Sequence, residues 1–197
     1  MSTSLRGLLL LALGACAPDA PPPEPVGTTA GLRTLCQVAP QPAGAPDSAL
    51  ALIEIPRGGR AKYEFDATTG RLVVSRMLPP SHPYPAAYGT FPCTMAGDGD
   101  PLDLLLLSDV EVVPGALVPV RPIGLLRMRD RGAQDDKLLV VALGDTRDSS
   151  TMAERTVIET FFRSYKGPGA DLEVGPWYAA DSARAQLRAA VAAAARR

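Results

Sequence analysis

The stretch DLLLLSDVEVVPGALVPVRPIGLLRMRDRGAQDDKLLVVAL, residues 103–143, decides the fold class. Its apolar runs are short, rich in Leu, Val and Ile, and broken by Pro, Gly and charged turns, so each reads as a strand. Three strands emerge: DLLLLSD (103–109), ALVPVRPIGLLRM (116–128) and DKLLVVAL (136–143). No helical pattern lies between them, so the βαβ alternation of a parallel sheet is missing. Toward the N-terminus the same texture continues in ALALIEIP (49–56), AKYEFD (61–66) and RLVVSRML (71–78), the last two joined as a hairpin by the turn ATTG. Five or so such strands fit a small closed or nearly closed barrel. Toward the C-terminus two helices are expected. The first opens with Thr151 and Glu154 in capping-box spacing and sets Ile158, Phe161, Phe162 and Tyr165 at helical intervals, until GPG at 167–169 stops it. Tyr165 and Lys166 then sit in its last turn, placed to project over a barrel mouth. The second runs from Asp181 through Ala-rich sequence to Arg197.

Composition narrows the chemistry. A chain of 197 residues holds a leader and one domain, and 46% hydrophobic residues suffice for a core. A net charge of −1 and 5% aromatic residues argue against a nucleic-acid partner held by a basic face or by stacking. The single histidine, His82, removes His-rich zinc sites, and Cys16, Cys36 and Cys93 have no CxxC spacing. His82 and Trp177 read as structural. Carboxylates, Lys, Arg and Tyr are left to carry any reaction. Of the 20 basic residues only Lys62, Lys137 and Lys166 are lysines, which suits positions needing a compact ammonium, although drift in residue usage gives the same count.

Residues 1–16, MSTSLRGLLLLALGAC, have a positive Arg6, an apolar run from Leu8 to Leu13, and small residues before Cys16. The run is far below the roughly 20 residues needed to span a bilayer, so it reads as an export signal. Its LGAC ending resembles a bacterial lipobox, which implies a lipid on Cys16, attachment to a membrane surface and a periplasmic address. An ordinary cleaved signal leaving a free periplasmic protein is the alternative. Residues 17–48, with PPPEP at 21–25 and PQPAGAP at 40–46, read as a semi-extended tether, and Leu32 to Val38 can dock on the domain that follows, residues 49–197. In an oxidising compartment Cys36 and Cys93 either pair or stay as two buried thiols.

The densest chemistry is GDGDPLDLLLL at 97–107, where Asp98, Asp100 and Asp103 enter an apolar strand. Two carboxylates about 4 Å apart repel by roughly 4 kcal/mol at an effective dielectric of 20, so the cluster either gains protons or holds a cation. Oxygen ligands without His or Cys select Mg²⁺ or Mn²⁺ over zinc. Pro101 and the missing distal Glu spoil an EF-hand spacing, and a solvated Asp-Gly turn remains the plain alternative. A second acidic group, Asp130, Asp135 and Asp136, stands beside Lys137. Glu54 and Glu64 flank the hairpin that carries Lys62, and strand alternation puts Lys62 and Glu64 on one face.

From about Leu35 to the last helix the chain resembles the family I soluble inorganic pyrophosphatases. DGDPLDL at 98–104 meets the signature D-x-D-P-x-D, IEIP carries Glu54, KYE carries Lys62 and Glu64, and Arg76 follows the hairpin. YPAAYG carries Tyr84 and Tyr88, Asp130, Asp135 and Lys137 keep the D-x₄-D-x-K spacing, and FFRSYK supplies Tyr165 and Lys166. The resemblance implies a mainly β (α+β) fold, a five-stranded OB-like closed barrel with two C-terminal helices packed on it. It implies Mg²⁺-dependent hydrolysis of pyrophosphate. Asp98, Asp103 and Asp135 would hold the core metals, with Asp130 and Glu54 joining them. Asp100 would be the general base, and Tyr88 a hydrogen-bond donor near the leaving side. Lys62, Arg76, Lys137, Tyr165 and Lys166 would bind phosphate oxygens, and Glu64 and Tyr84 would order the surroundings. Family relatives form homo-oligomers. Ser75, Ala87 and Arg131 depart from common family residues, and 167–174 matches poorly. A hydrolase of another small phosphoanhydride and a lipoprotein that binds pyrophosphate or metal without turnover are the competing readings.

Overall fold

The computed structural model describes residues 29–66 and 69–196. The expected export signal, the expected lipobox at Cys16 and the first part of the expected tether lie outside them. The elements are α1 (Thr29–Val38), β1 (Ala49–Ile55), β2 (Ala61–Asp66), β3 (Arg71–Met77), β4 (Ala87–Thr90), β5 (Asp103–Leu106), β6 (Leu117–Asp130), β7 (Ala133–Gln134), β8 (Lys137–Ala142), α2 (Met152–Ser164), β9 (Leu172–Ala179) and α3 (Ala180–Ala194).

Strands pair in the order β1-β4-β5-β8-β6, and β6 returns to pair with β1, so five strands close a ring. All ring pairings are antiparallel except β5 with β8, which run parallel with Asp103 level with Lys137. The barrel is thus five-stranded and closed, but its staves differ from the expected set. The hairpin β2–β3 forms a separate two-stranded sheet, and the four-residue β4, too short to show a period, takes a place in the ring. β9 was not foreseen. It extends the far half of β6 from Gly124 to Asp130 and runs directly into α3, one residue before the expected helix start.

The four leucines at 104–107 form a continuous apolar run because both faces of β5 are covered. Leu104 and Leu106 pack with Ala183, Leu187 and Ala190 of α3, while Leu105 and Leu107 pack with Ile158, Phe161 and Phe162 of α2. The expected capping box opens α2: the Thr151 hydroxyl accepts from the Glu154 amide, and the Glu154 carboxylate accepts from the Thr151 amide. Alanines at 183, 190 and 194 keep the buried face of α3 small. Gly89 is required where β4 crosses β1, since a Cβ there would lie 2.0 Å from the carbonyl oxygen of Leu52.

Residues 29–48 are folded onto the domain where a semi-extended segment was expected. Leu35 of α1 is wholly buried with Leu52, Phe65 and Leu72, and Cys36 is bonded to Cys93. The Gln41 side chain donates to the carbonyls of Leu50 and Pro92 and accepts from the Leu50 amide. The docking expected of Leu32 to Val38 is thus met by α1, and the Gln41 side chain extends the attachment beyond it.

Candidate active site

The barrel, the hairpin and the end of α2 enclose a cavity of about 840 Å³. Each element contributes for a definite structural reason. Parallel pairing of β5 and β8 brings both strand starts to one end, so Asp103 and Lys137 stand side by side. The ammonium of Lys137 donates to Asp103 at 2.6 Å and to Asp135, and it lies 5.9 Å from the centre of the Phe162 ring. Asp98 and Asp100 come from the loop between β4 and β5, where the Asp98 carboxylate accepts from the Asp100 amide. Asp130 ends β6 and accepts from Lys166 at 2.5 Å. Glu54 sits at a β-bulge: the register of β1 on β4 shifts between Ile53 and Ile55, which turns this one carboxylate of an otherwise apolar strand into the cavity.

The opposite wall is cationic and aromatic. Lys62 and Arg76 face each other across β2 and β3, an arrangement that repels unless an anion lies between. Glu64 relieves part of it by accepting from Lys62 at 2.8 Å, on the shared face that strand alternation predicts. Tyr165 caps the end of α2, with the Arg76 guanidinium and the Lys166 ammonium each 5.7 Å from its ring centre. Tyr84 and Tyr88 are buried with ring centres 5.2 Å apart. All fourteen side chains singled out in the sequence for this site therefore line one cavity.

Its electrostatics are those of a site short of positive charge. Seven carboxylates (Glu54, Glu64, Asp98, Asp100, Asp103, Asp130, Asp135) meet five cations (Lys62, Arg76, Arg131, Lys137, Lys166). Burial, reinforced by Asp103, pushes Glu54 up to about 8. Burial also raises Asp98 and Asp100, with neighbouring carboxylates adding to it. Asp135 is raised by burial against the pull of Lys137. For Lys137 burial acts downward, but Asp103 and Asp135 outweigh it and keep the ammonium charged. Glu64 escapes the trend: burial pushes it up, and the hydrogen bond from Lys62 with the nearby Arg76 brings it below its ordinary range. Burial holds Tyr84 and Tyr88 far above the usual phenol range and Tyr165 at about 12, so all three hydroxyls stay donors.

Among the described residues no three carboxylates are gathered into a cage; Lys137 stands between Asp103 and Asp135, and Lys166 takes Asp130. The donor chemistry nevertheless fits a hard divalent cation: every anionic donor is oxygen, no His or Cys among the described residues lines the cavity, and the acids there exceed the bases. Such a charge would reverse the upward shifts of the buried carboxyls.

Asp136, counted in the second acidic group, belongs elsewhere. It is buried, accepts from the Met128 amide and Gln134, and pairs with Arg127 at 3.2 Å. His82 bridges Ser81 and Ser164, Trp177 donates to Glu159, and neither lines the cavity. Phe162, at a helical interval on α2, is buried in the core and also lines the cavity. Nothing in helical spacing separates those two uses.

Residues 51–195 match the family model of inorganic pyrophosphatase. The chain is 41% identical over 141 residues to the inorganic pyrophosphatase of Gluconobacter oxydans, covering 67% of this chain and 79% of that one. The crystal structure of inorganic pyrophosphatase from Thermus thermophilus superposes with a TM-score of 0.74 at 35% identity, covering 79% of this chain and 96% of that one. The corresponding structure from Coxiella burnetii gives 0.70 at 36%, covering 75% and 95%. The acid-rich mouth, the facing cations and these likenesses agree, and the chain belongs to the inorganic pyrophosphatase family.

Proposed function

We propose that this chain hydrolyses inorganic pyrophosphate to two phosphates with Mg²⁺, or Mn²⁺ in its place. The observation that carries the reading is the pairing of an under-neutralised carboxylate wall with a wall of ammonium, guanidinium and phenol donors in one cavity. Asp98, Asp103 and Asp135 would hold the cations, with Asp130 and Glu54 completing the set. Bound there, divalent ions supply positive charge to the phosphates and lower the pKa of a water. Lys62, Arg76, Lys137 and Lys166 neutralise phosphate oxygens, and the Tyr165 and Tyr88 hydroxyls donate to them. Asp100, held in the same loop as Asp98 and lining the cavity, would take a proton from the attacking water as the general base. Glu64 fixes the Lys62 ammonium in place. Positioning and charge stabilisation make up most of the catalysis, as phosphoryl transfer requires.

The test is phosphate release from pyrophosphate with Mg²⁺, Mn²⁺ or Zn²⁺ added singly. Asp100→Asn should lower kcat by about 10²–10⁴-fold. Tight calorimetric binding of pyrophosphate without release would turn the reading into one of capture. Equal rates on triphosphate would widen the substrate to small phosphoanhydrides.

We further propose that the protein is exported and held to a membrane surface by a lipid on Cys16. The Arg6, Leu8 to Leu13 and LGAC pattern supports it, and so does the Cys36–Cys93 disulfide, a bond that persists in oxidising compartments. Cys16→Ala should move the protein from the membrane to the soluble fraction; retention in the membrane would overturn the anchor.

A further inference from the structure

The loop between β4 and β5 carries Asp98 and Asp100, and its first turn holds an outlier. Cys93 has φ 54°, in the left-handed region that L-residues avoid and that persists only where surroundings over-determine it. The disulfide from Cys36 is one of those surroundings. The Gln41 side chain, donating to the Pro92 carbonyl at 2.8 Å, is a second. The Met95 amide, donating to the carbonyl of Ala190 on α3, is a third. From this fixed turn the chain reaches Asp98 in five residues. Leu35, the neighbour of Cys36 on α1, is buried against Phe65 of the hairpin that carries Lys62 and Glu64. The folded arm thus touches both walls of the cavity, covalently at the acidic one and by packing at the cationic one.

We propose that the Cys36–Cys93 disulfide is a positioning device, holding the Asp98–Asp100 loop at the place from which it binds divalent cations. This rests on the cation-dependent reading of the cavity. Oxidation would then set cation affinity, and the enzyme would work fully only where the bond is made.

The experiment uses the full chain in three forms: oxidised, with Cys36→Ala/Cys93→Ala, and with Cys36→Ala/Cys93→Gly. Mg²⁺ affinity is read by calorimetry, amide exchange is read over residues 94–100, and KM and kcat are taken at low and saturating Mg²⁺. The double-alanine form should bind Mg²⁺ about tenfold more weakly, exchange faster in the loop, and regain kcat at saturating Mg²⁺. Glycine at 93 should recover part of the affinity, because a positive φ is open to it. Mg²⁺ affinity and loop exchange unchanged in both variants would overturn the proposal and leave the bond a staple. Should neither variant fold, Gln41→Met, which frees Pro92 and keeps the disulfide, should show the same changes at smaller size, and its equality with the parent would overturn the proposal. An oxidised parent that binds no Mg²⁺ would instead refute the cation reading itself, so the two failures are distinct.

Discussion

Replacing Glu54 by glutamine separates the demand of this site for cations from the stability of the barrel. Glu54 is 8% exposed, and burial raises it from 4.5 to about 8 in the metal-free protein. The folded state therefore holds a proton that the unfolded chain has released across that window. Stability is full below pH 4.5 and is lost as pH rises through 8. A shift of this size corresponds to about 5 kcal/mol, the largest loss that this carboxyl alone can cause. Glutamine resembles the protonated acid at every pH. In urea unfolding with chelator present, parent and Glu54→Gln should be similar near pH 5, and the variant should become the more stable by several kcal/mol near pH 8.5. Taking the difference removes the carboxyls far from Glu54, while Asp100, which repels it, adds to the gap in the same direction. Divalent cation should close the gap by stabilising the parent more. Parallel stability curves over the whole range would mean that Glu54 ionises without cost, and the account of a charge-starved cavity would fail.

Three further outcomes are expected. Lys137→Met strips Asp103 and Asp135 of their shared ammonium, so the metal-free protein should lose about 3–5 kcal/mol in denaturant unfolding, part of it restored by Mg²⁺. Gly89→Ala drives a methyl into the Leu52 carbonyl and should cost about 3 kcal/mol, read as a lower Tm in a thermal melt with the fold retained. Reducing Cys36–Cys93, which are 57 residues apart, should lower stability by about 4 kcal/mol on chain-entropy grounds, measurable as a fall in urea midpoint.

The parts of the molecule that were legible in sequence are those whose physics is local. The leucines at 104–107 announce an apolar strand, Thr151 and Glu154 announce a helix start, and the Asp98–Asp103 spacing announces carboxylates gathered where that strand begins. The features that were hidden depend on neighbours distant in sequence. LEVGPWYA becomes β9 through pairing with β6, although Gly175 and Pro176 blur its alternation and all of its residues are half-buried or exposed. β4 has four residues and no period to detect. The bulge that turns Glu54 inward exists only as a mismatch between β1 and β4. The choice between a bonded and an unbonded Cys36 awaited the placing of α1 against the loop. Asp136 and Asp135 are adjacent in sequence yet differ in use, because only the fold sends one carboxylate to Arg127 and the other to Lys137.

The closed ring has one more consequence. Asp103 and Lys137 stand on staves paired on both sides, whereas Lys62 and Arg76 ride on a two-stranded flap whose second strand is mostly open to water. Compliance in such a molecule concentrates where backbone pairing is thinnest. Lys62 and Arg76 therefore ride on the most yielding part of the cavity wall, while Asp103 and Lys137 keep their spacing on the ring.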